Sequence, residues 1–232
     1  MIDVTHQISA IDRQVGSRVL EAGEARTVVI SLAYDATIDE VWDACTTPER
    51  IPRWFLPVTG ELKEGGRYQL EGNAEGTIER CDPPHGFDAT WEFGGQVTWI
   101  EVRVSPDDER TRLTLTHIAH VDDETWAQFG PGAVGIGWEL GLMGLALHLS
   151  SGEAVDPAEF AVWSGSDEGR QFMQQSGEGW RDAHVASGLD PVDLAMAAGA
   201  RCIEAYTAAP EGDAGDAGEV GDDGDAGEVG GA

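Results

Sequence analysis

Apolar and polar residues alternate along the first half of the chain, and near residue 130 the period changes from two to about 3.6. Residues 25–34 (ARTVVISLAY) alternate and are rich in β-branched side chains, which predicts a strand. Thr37 and Glu40 have the spacing of a capping box, so a short helix is expected over Ile38–Thr46, with Val41 and Cys45 on one face and Trp42 beside them. Pro48 opens a second short helix ending near Trp54 and Phe55. Strands are then predicted at Thr59–Leu62, Arg67–Glu71, Glu75–Cys81, Asp88–Phe93, Thr98–Ser105 and Thr111–His117. Turn-forming pairs such as Gly65-Gly66, Gly72-Asn73 and Gly94-Gly95 separate them, and connections this short imply antiparallel pairing, because parallel strands need long crossovers.

Period two assigns the faces. Tyr68, Leu70, Ile78, Ala89, Trp91, Phe93, Ile100, Val102, Val104, Leu113, Leu115 and His117 fall on one side; Arg67, Glu71, Glu79, Glu92, Glu101, Arg103, Arg112 and Thr116 fall on the other. One dry and one wet face predicts a sheet covered on a single side. Trp99 falls on the wet face, where the N-terminal segment would cover it. The cover for the dry face is a helix predicted from about Ala133 to Leu149, entered through a short helical stretch at Glu124–Phe129 and a break at Gly130-Pro131-Gly132. Ile136, Leu140, Met143 and Leu147 form its apolar stripe. Gly137, Gly141 and Gly144 form a second stripe, and interior glycines cost about 1 kcal/mol each against alanine, so they point to a close approach by a neighbour or ligand. Two more helices are expected at Asp167–Ser187 and Pro191–Ala208, the second capped by Asp190 and docked with the first as a hairpin outside the domain.

Residues 210–232 contain almost only Gly, Ala, Asp, Glu and Val, and GDAGEVG occurs in them twice. Such a segment cannot bury enough surface to offset its ordering entropy, which marks a disordered acidic tail. The tail holds eight acidic residues, so residues 1–209 carry −21 of the net −29. That field repels nucleic acid and anionic membranes and excludes both as partners. Cys45, Cys81 and Cys202 are odd in number and lack CxxC spacing, as free thiols in a reducing compartment would be. No signal peptide is legible in MIDVTHQISAIDRQVG, and the most apolar stretch, Ala133–Leu149, falls short of the ~20 residues a membrane span needs. A cytoplasmic protein without membrane insertion is the expectation.

The order of elements is that of the START-like, or SRPBCC, helix-grip superfamily. VWDACTTPERIPRWF (41–55), GGRYQLEG (65–72), the turn at Asp82–Pro84, ATWEF (89–93), TRLTLTH (111–117) and the Gly137-Trp138 pair resemble the family named after the activator of heat-shock-protein ATPase, across about residues 25–150. The resemblance implies an α+β fold in which a curved antiparallel sheet of six to seven strands grips a long C-terminal helix, with a hydrophobic cavity between them closed by the two short helices. On this division residues 1–24 are an N-terminal extension, 25–152 the helix-grip domain, 153–209 a helical extension and 210–232 the tail.

Trp54, Tyr68, Trp91, Phe93, His117, Trp138 and Met143 are the candidate lining residues, since aromatic groups with polar tips suit a partly filled cavity. His117 and Glu139 are the candidates for proton transfer, set against a structural His117 satisfied by a loop carbonyl and a Glu139 that faces water at the helix edge; as a proton-transfer group Glu139 would be a carboxylate at the cavity mouth with a raised pKa. His117 and His120 near Asp122 and Asp123 straddle a strand end without a third ligand pattern, so no metal is called. GPGAVG at 130–135 matches a dinucleotide fingerprint in letters only, because a polar helical segment and not a buried strand precedes it, and no cofactor is called. The expected function is binding of a small apolar or amphipathic molecule by a non-catalytic carrier or sensor. A polyketide cyclase or dehydratase-like enzyme and a chaperone-associated protein are the alternatives, the last with an unknown protein partner.

Overall fold

The first predicted strand, extended by two residues, is the centre of the observed architecture. In the computed structural model, which describes residues 8–208, β2 (Gly23–Tyr34) pairs on one side with β1 (Asp12–Leu20) and on the other with β8 (Arg110–Ala119), the last strand of the sheet. Between them in the chain come β3 (Val58–Gly60), β4 (Arg67–Leu70), β5 (Glu75–Asp82), β6 (Gly86–Phe93) and β7 (Gln96–Asp107). All pairings are antiparallel, in the order β1-β2-β8-β7-β6-β5-β4-β3. The sheet therefore has eight strands, more than the six to seven expected. The added strand is β1, in a segment set apart from its sequence as an extension: DRQVGSRVL is too polar to read as a strand, yet pairs residue for residue with β2 from Asp12↔Ser31 to Leu20↔Gly23.

Register carries the dry face across the strands. Val28, His117, Ile100, Ala89 and Ile78 stand opposite one another in one row, and Ile30, Leu115, Val102, Phe87 and Cys81 in the next. Trp99 lies on the other face, as its parity requires, and its ring packs edge-on to His120 at 5.9 Å.

Helices cover only the dry face. α1 (Ile38–Thr46) carries the capping box at Thr37 and Glu40, and a single 3-10 turn at Ile51–Arg53 follows it. α2 (Asp123–Phe129) leads into α3 (Gly132–Ser151), the long helix, and α4 (Pro157–Ser164), α5 (Asp167–Ser187) and α6 (Val192–Thr207) complete the chain described. At 20 residues α3 is longer than the apolar stretch in its sequence and reaches membrane-spanning length, but 56% of its most apolar window is buried inside the fold. It is apolar on most sides because neighbours cover it on most sides, β2 and α1 on one and α5 and α6 on the other, with Ala133 and Gly137 left exposed. The Trp180 ring of α5 lies where a Cβ on Gly135 would stand, 2.3 Å away.

Two expectations about polar groups are corrected. Asp190 does not cap α6, which begins at Val192 without a side-chain cap; its carboxylate instead accepts Trp126 Nε1–H and His184 Nε2–H, each at 2.8 Å. Glu139 neither faces water nor reaches a cavity mouth. It is fully buried on the α5 side of α3, paired through both oxygens with Arg13 of β1 at 2.6 and 2.9 Å, and the guanidinium fits there because Gly179 of α5 has no side chain.

Removing one partner of such a pair leaves a buried charge uncompensated. Glu139→Ala should lower the unfolding free energy in urea by about 3–5 kcal/mol, and Arg13→Met combined with Glu139→Leu should recover most of the loss. A loss below about 1 kcal/mol for the single substitution, within the range of surface changes, would show that the pair does not hold β1 to α3.

Candidate functional site

α3 seats toward one half of the sheet, through β2, and the core divides accordingly. One buried cluster joins β2, β7 and β8 to α1, α3 and α5; a smaller one, of Tyr68, Leu70, Ala89 and Ile100, lies under β4–β7. Between them is a cavity of about 300 Å³. Its floor is the dry face of the strands, with Tyr68, Ile78, Ala89, Trp91, Ile100 and Leu115; its roof is Trp42 and Cys45 of α1, Ile51, Trp54 and Phe55 of the turn that follows, and Trp138, Gly141 and Leu142 of α3.

Gly144, of the three glycines in the stripe, positions the roof. A Cβ on Gly144 would stand 2.4 Å from the Trp54 carbonyl oxygen, and one on Gly141 would stand 3.4 Å from the Phe55 ring. The backbone at 54–55 can thus lie directly on α3. Trp54 Nε1–H donates to Ala44 O at 2.9 Å, and Arg53 Nη2 donates to Gly152 O at 2.6 Å at the far end of α3. Arg50 ties the same turn to Asp43 at 2.8 Å and donates to His148 Nε2 at 3.2 Å, while His148 Nδ1–H donates to Glu153 O.

Aromatic rings line one end. Trp138 packs edge-on to Trp91 at 4.9 Å, and Phe55 stacks over it with centroids 6.4 Å apart. His117 is buried behind Trp138 and is not on the wall. Trp138 Nε1–H donates to His117 Nδ1 at 3.0 Å, and because an indole nitrogen only donates, Nδ1 carries a lone pair and the ring proton is on Nε2. Burial pulls the His117 pKa down to about 4, so the ring is neutral near pH 7. Tyr68 donates its hydroxyl proton to Thr90 O at 2.7 Å, and burial raises its pKa.

Of the residues singled out in the sequence, Trp54, Tyr68, Trp91 and Trp138 lie on the cavity wall and His117 sits behind it. Phe93 does not: it has the right parity but stands at the end of β6 beside the Gly94–Gly95 turn, 58% exposed. Met143 is buried in the main core, off the cavity wall. Glu139, on the opposite side of α3, has no access to the cavity. Trp42, Cys45, Phe55 and Leu142 were not singled out although they line it. The signal for Trp42 and Cys45 is their i, i+3 spacing on α1 beside the buried Val41. Among the described residues no group of three or more His, Cys, Asp or Glu side chains is placed to hold a metal ion.

An antiparallel sheet gripping one long helix over an apolar hollow defines the helix-grip class of α+β proteins. Residues 35–150 match the family described as Activator of Hsp90 ATPase homolog 1-like protein, and the chain belongs to it. CalU16 from Micromonospora echinospora is 36% identical; its crystal structure superposes with a TM-score of 0.61 over 75% of this chain and 98% of that one, and its solution NMR structure with 0.64 over 75% and 94%. DynU16, a protein in the dynemicin biosynthetic locus, shares the fold at 20% identity and a TM-score of 0.51, over 55% of this chain and 48% of that one. No curated protein matches the sequence.

The depressed pKa of His117 makes stability depend on pH. The unfolded chain takes up a proton near pH 6.5 and the folded one only near 4, so this contribution is complete above 6.5 and is lost as pH falls through that window, by on the order of 3 kcal/mol. His117→Gln should flatten this part of the stability profile between pH 6.5 and 4; an unchanged slope would show that another group carries it. Gly144→Ala tests the roof. Helix propensity alone favours alanine by about 1 kcal/mol, whereas the approach of Trp54 O predicts a net loss of stability. A raised melting temperature would contradict the close approach.

Proposed function

We propose that the protein binds a small apolar or amphipathic molecule in the cavity between α3 and strands β4–β8, as a carrier or sensor that leaves its ligand unchanged. The observation that carries this reading is a hollow of about 300 Å³ whose wall, among the described residues, includes no charged side chain. Interiors normally pack with few voids larger than a water molecule, and ligand pockets begin near this size. Sealing about 250 Å² of apolar ligand surface there contributes roughly 6 kcal/mol before the costs of association.

Both groups considered for proton transfer are otherwise engaged, which favours binding over catalysis. The His117 lone pair at Nδ1 accepts the Trp138 proton, and Glu139 is turned away into its pair with Arg13. Cys45, Cys81 and Cys202 are all free thiols, as suits a protein of the cytoplasm.

Native mass spectrometry of freshly purified protein should reveal a bound small molecule, or the protein should take up an apolar probe with micromolar affinity. Ala89→Phe, which fills the floor of the hollow, should weaken binding at least tenfold while circular dichroism stays that of the folded protein. Equal uptake by the filled variant would place the ligand elsewhere.

A further inference from the structure

On the reading that the cavity is the binding site, the chemistry of its wall narrows the ligand further. Among the described residues no aspartate, glutamate, lysine, arginine or histidine lines it. Its thiols stay protonated: burial pushes Cys45 up to about 12 and also raises Cys81, with Glu64 and Asp82 adding in the same direction. Nothing on the wall can pair with a carboxylate or an ammonium group, and an unpaired ion taken out of water is strongly disfavoured. The net charge of −29 further repels anions.

Hydrogen-bonding capacity is just as unevenly distributed. Trp54, Tyr68, Trp138 and Thr46 each give their proton to a protein acceptor. Among the described residues, the indole N–H groups of Trp42 and Trp91 have no such partner, and neither nitrogen is sealed off from open space. Trp42 comes from α1 in the roof and Trp91 from β6 in the floor, so the two side chains with unspent indole N–H groups stand on opposite walls. The volume is about twice the ~150 Å³ void that takes up benzene, which suits two or three fused rings. We infer that the ligand is an uncharged, flat aromatic molecule carrying acceptor oxygens, and that Trp42 and Trp91 are the donors that recognise them.

Four probes titrated into the full chain, followed by calorimetry, test this: 9-fluorenone, fluorene, a fluorenone carboxylate and dodecanoate. Fluorenone has the acceptor oxygen; fluorene has the same rings and greater hydrophobicity without it. Fluorenone should bind severalfold tighter than fluorene, with the carboxylate and dodecanoate both at least roughly a hundredfold weaker than fluorenone. With both donors removed, in the Trp42→Phe, Trp91→Phe double variant, the fluorenone-to-fluorene ratio should fall about tenfold, reversing the order, while fluorene itself still binds. Fluorene matching fluorenone in the unmodified protein, or dodecanoate binding as tightly as fluorenone, would overturn the inference and leave the cavity as a site for another class of ligand. If none of the four binds, the cavity reading itself fails and the inference goes with it.

Discussion

The position of α3 on the sheet is the constraint from which the rest of the structure follows. One helix is too narrow to cover eight strands, so where it is tied determines where space is left. Its ties run to the β1–β2 edge: Glu139 to Arg13 of β1, and the Leu142 carbonyl to the Tyr34 hydroxyl of β2 at 3.3 Å. With α5 and α6 packed behind it, the helix is held at that edge, and the dry face of β4–β7 is spanned by α1 and the turn after it. Those elements reach over the gap without filling it.

This arrangement also explains two features that work against local stability. Glycine at 144 weakens a helix taken alone, but it lets the Trp54 carbonyl close the roof directly on α3. A buried ion pair between Arg13 and Glu139 adds less than a well-packed apolar pair would, yet it holds the helix in one rotation, with Trp138 toward the cavity and Glu139 away from it. The two functions of the helix, wall and anchor, are carried by adjacent residues.

The fold was legible because the sheet is wet on one face: alternation from Tyr68 to His117 assigned the inward side, and capping at Thr37 located α1. The same logic failed where the environment departs from that simple case. α3 is apolar on most sides, so its sequence does not show which side Glu139 occupies, and only the burial of Arg13 decides it. β1 is a polar edge strand, and pairing with β2 rather than its own pattern makes it a strand. Phe93 keeps the inward parity, but parity cannot show that a strand has run past the end of the cavity. Asp190 stands one residue too early to cap α6, and Trp126 and His184, distant in sequence or on another helix, both bond to its Oδ2. His117 and Trp138 were both singled out, but the bond between them could not be, since it depends on how a strand and a helix cross.

The apolar hollow under α3 is the feature on which ligand binding depends. A crystal of the protein held under xenon pressure measures it most directly, because xenon enters dry apolar voids and is visible at partial occupancy. Xenon should appear bounded by Ala89, Ile100, Leu115 and Leu142. Interlocked side chains at that place, with no xenon between them, would contradict it.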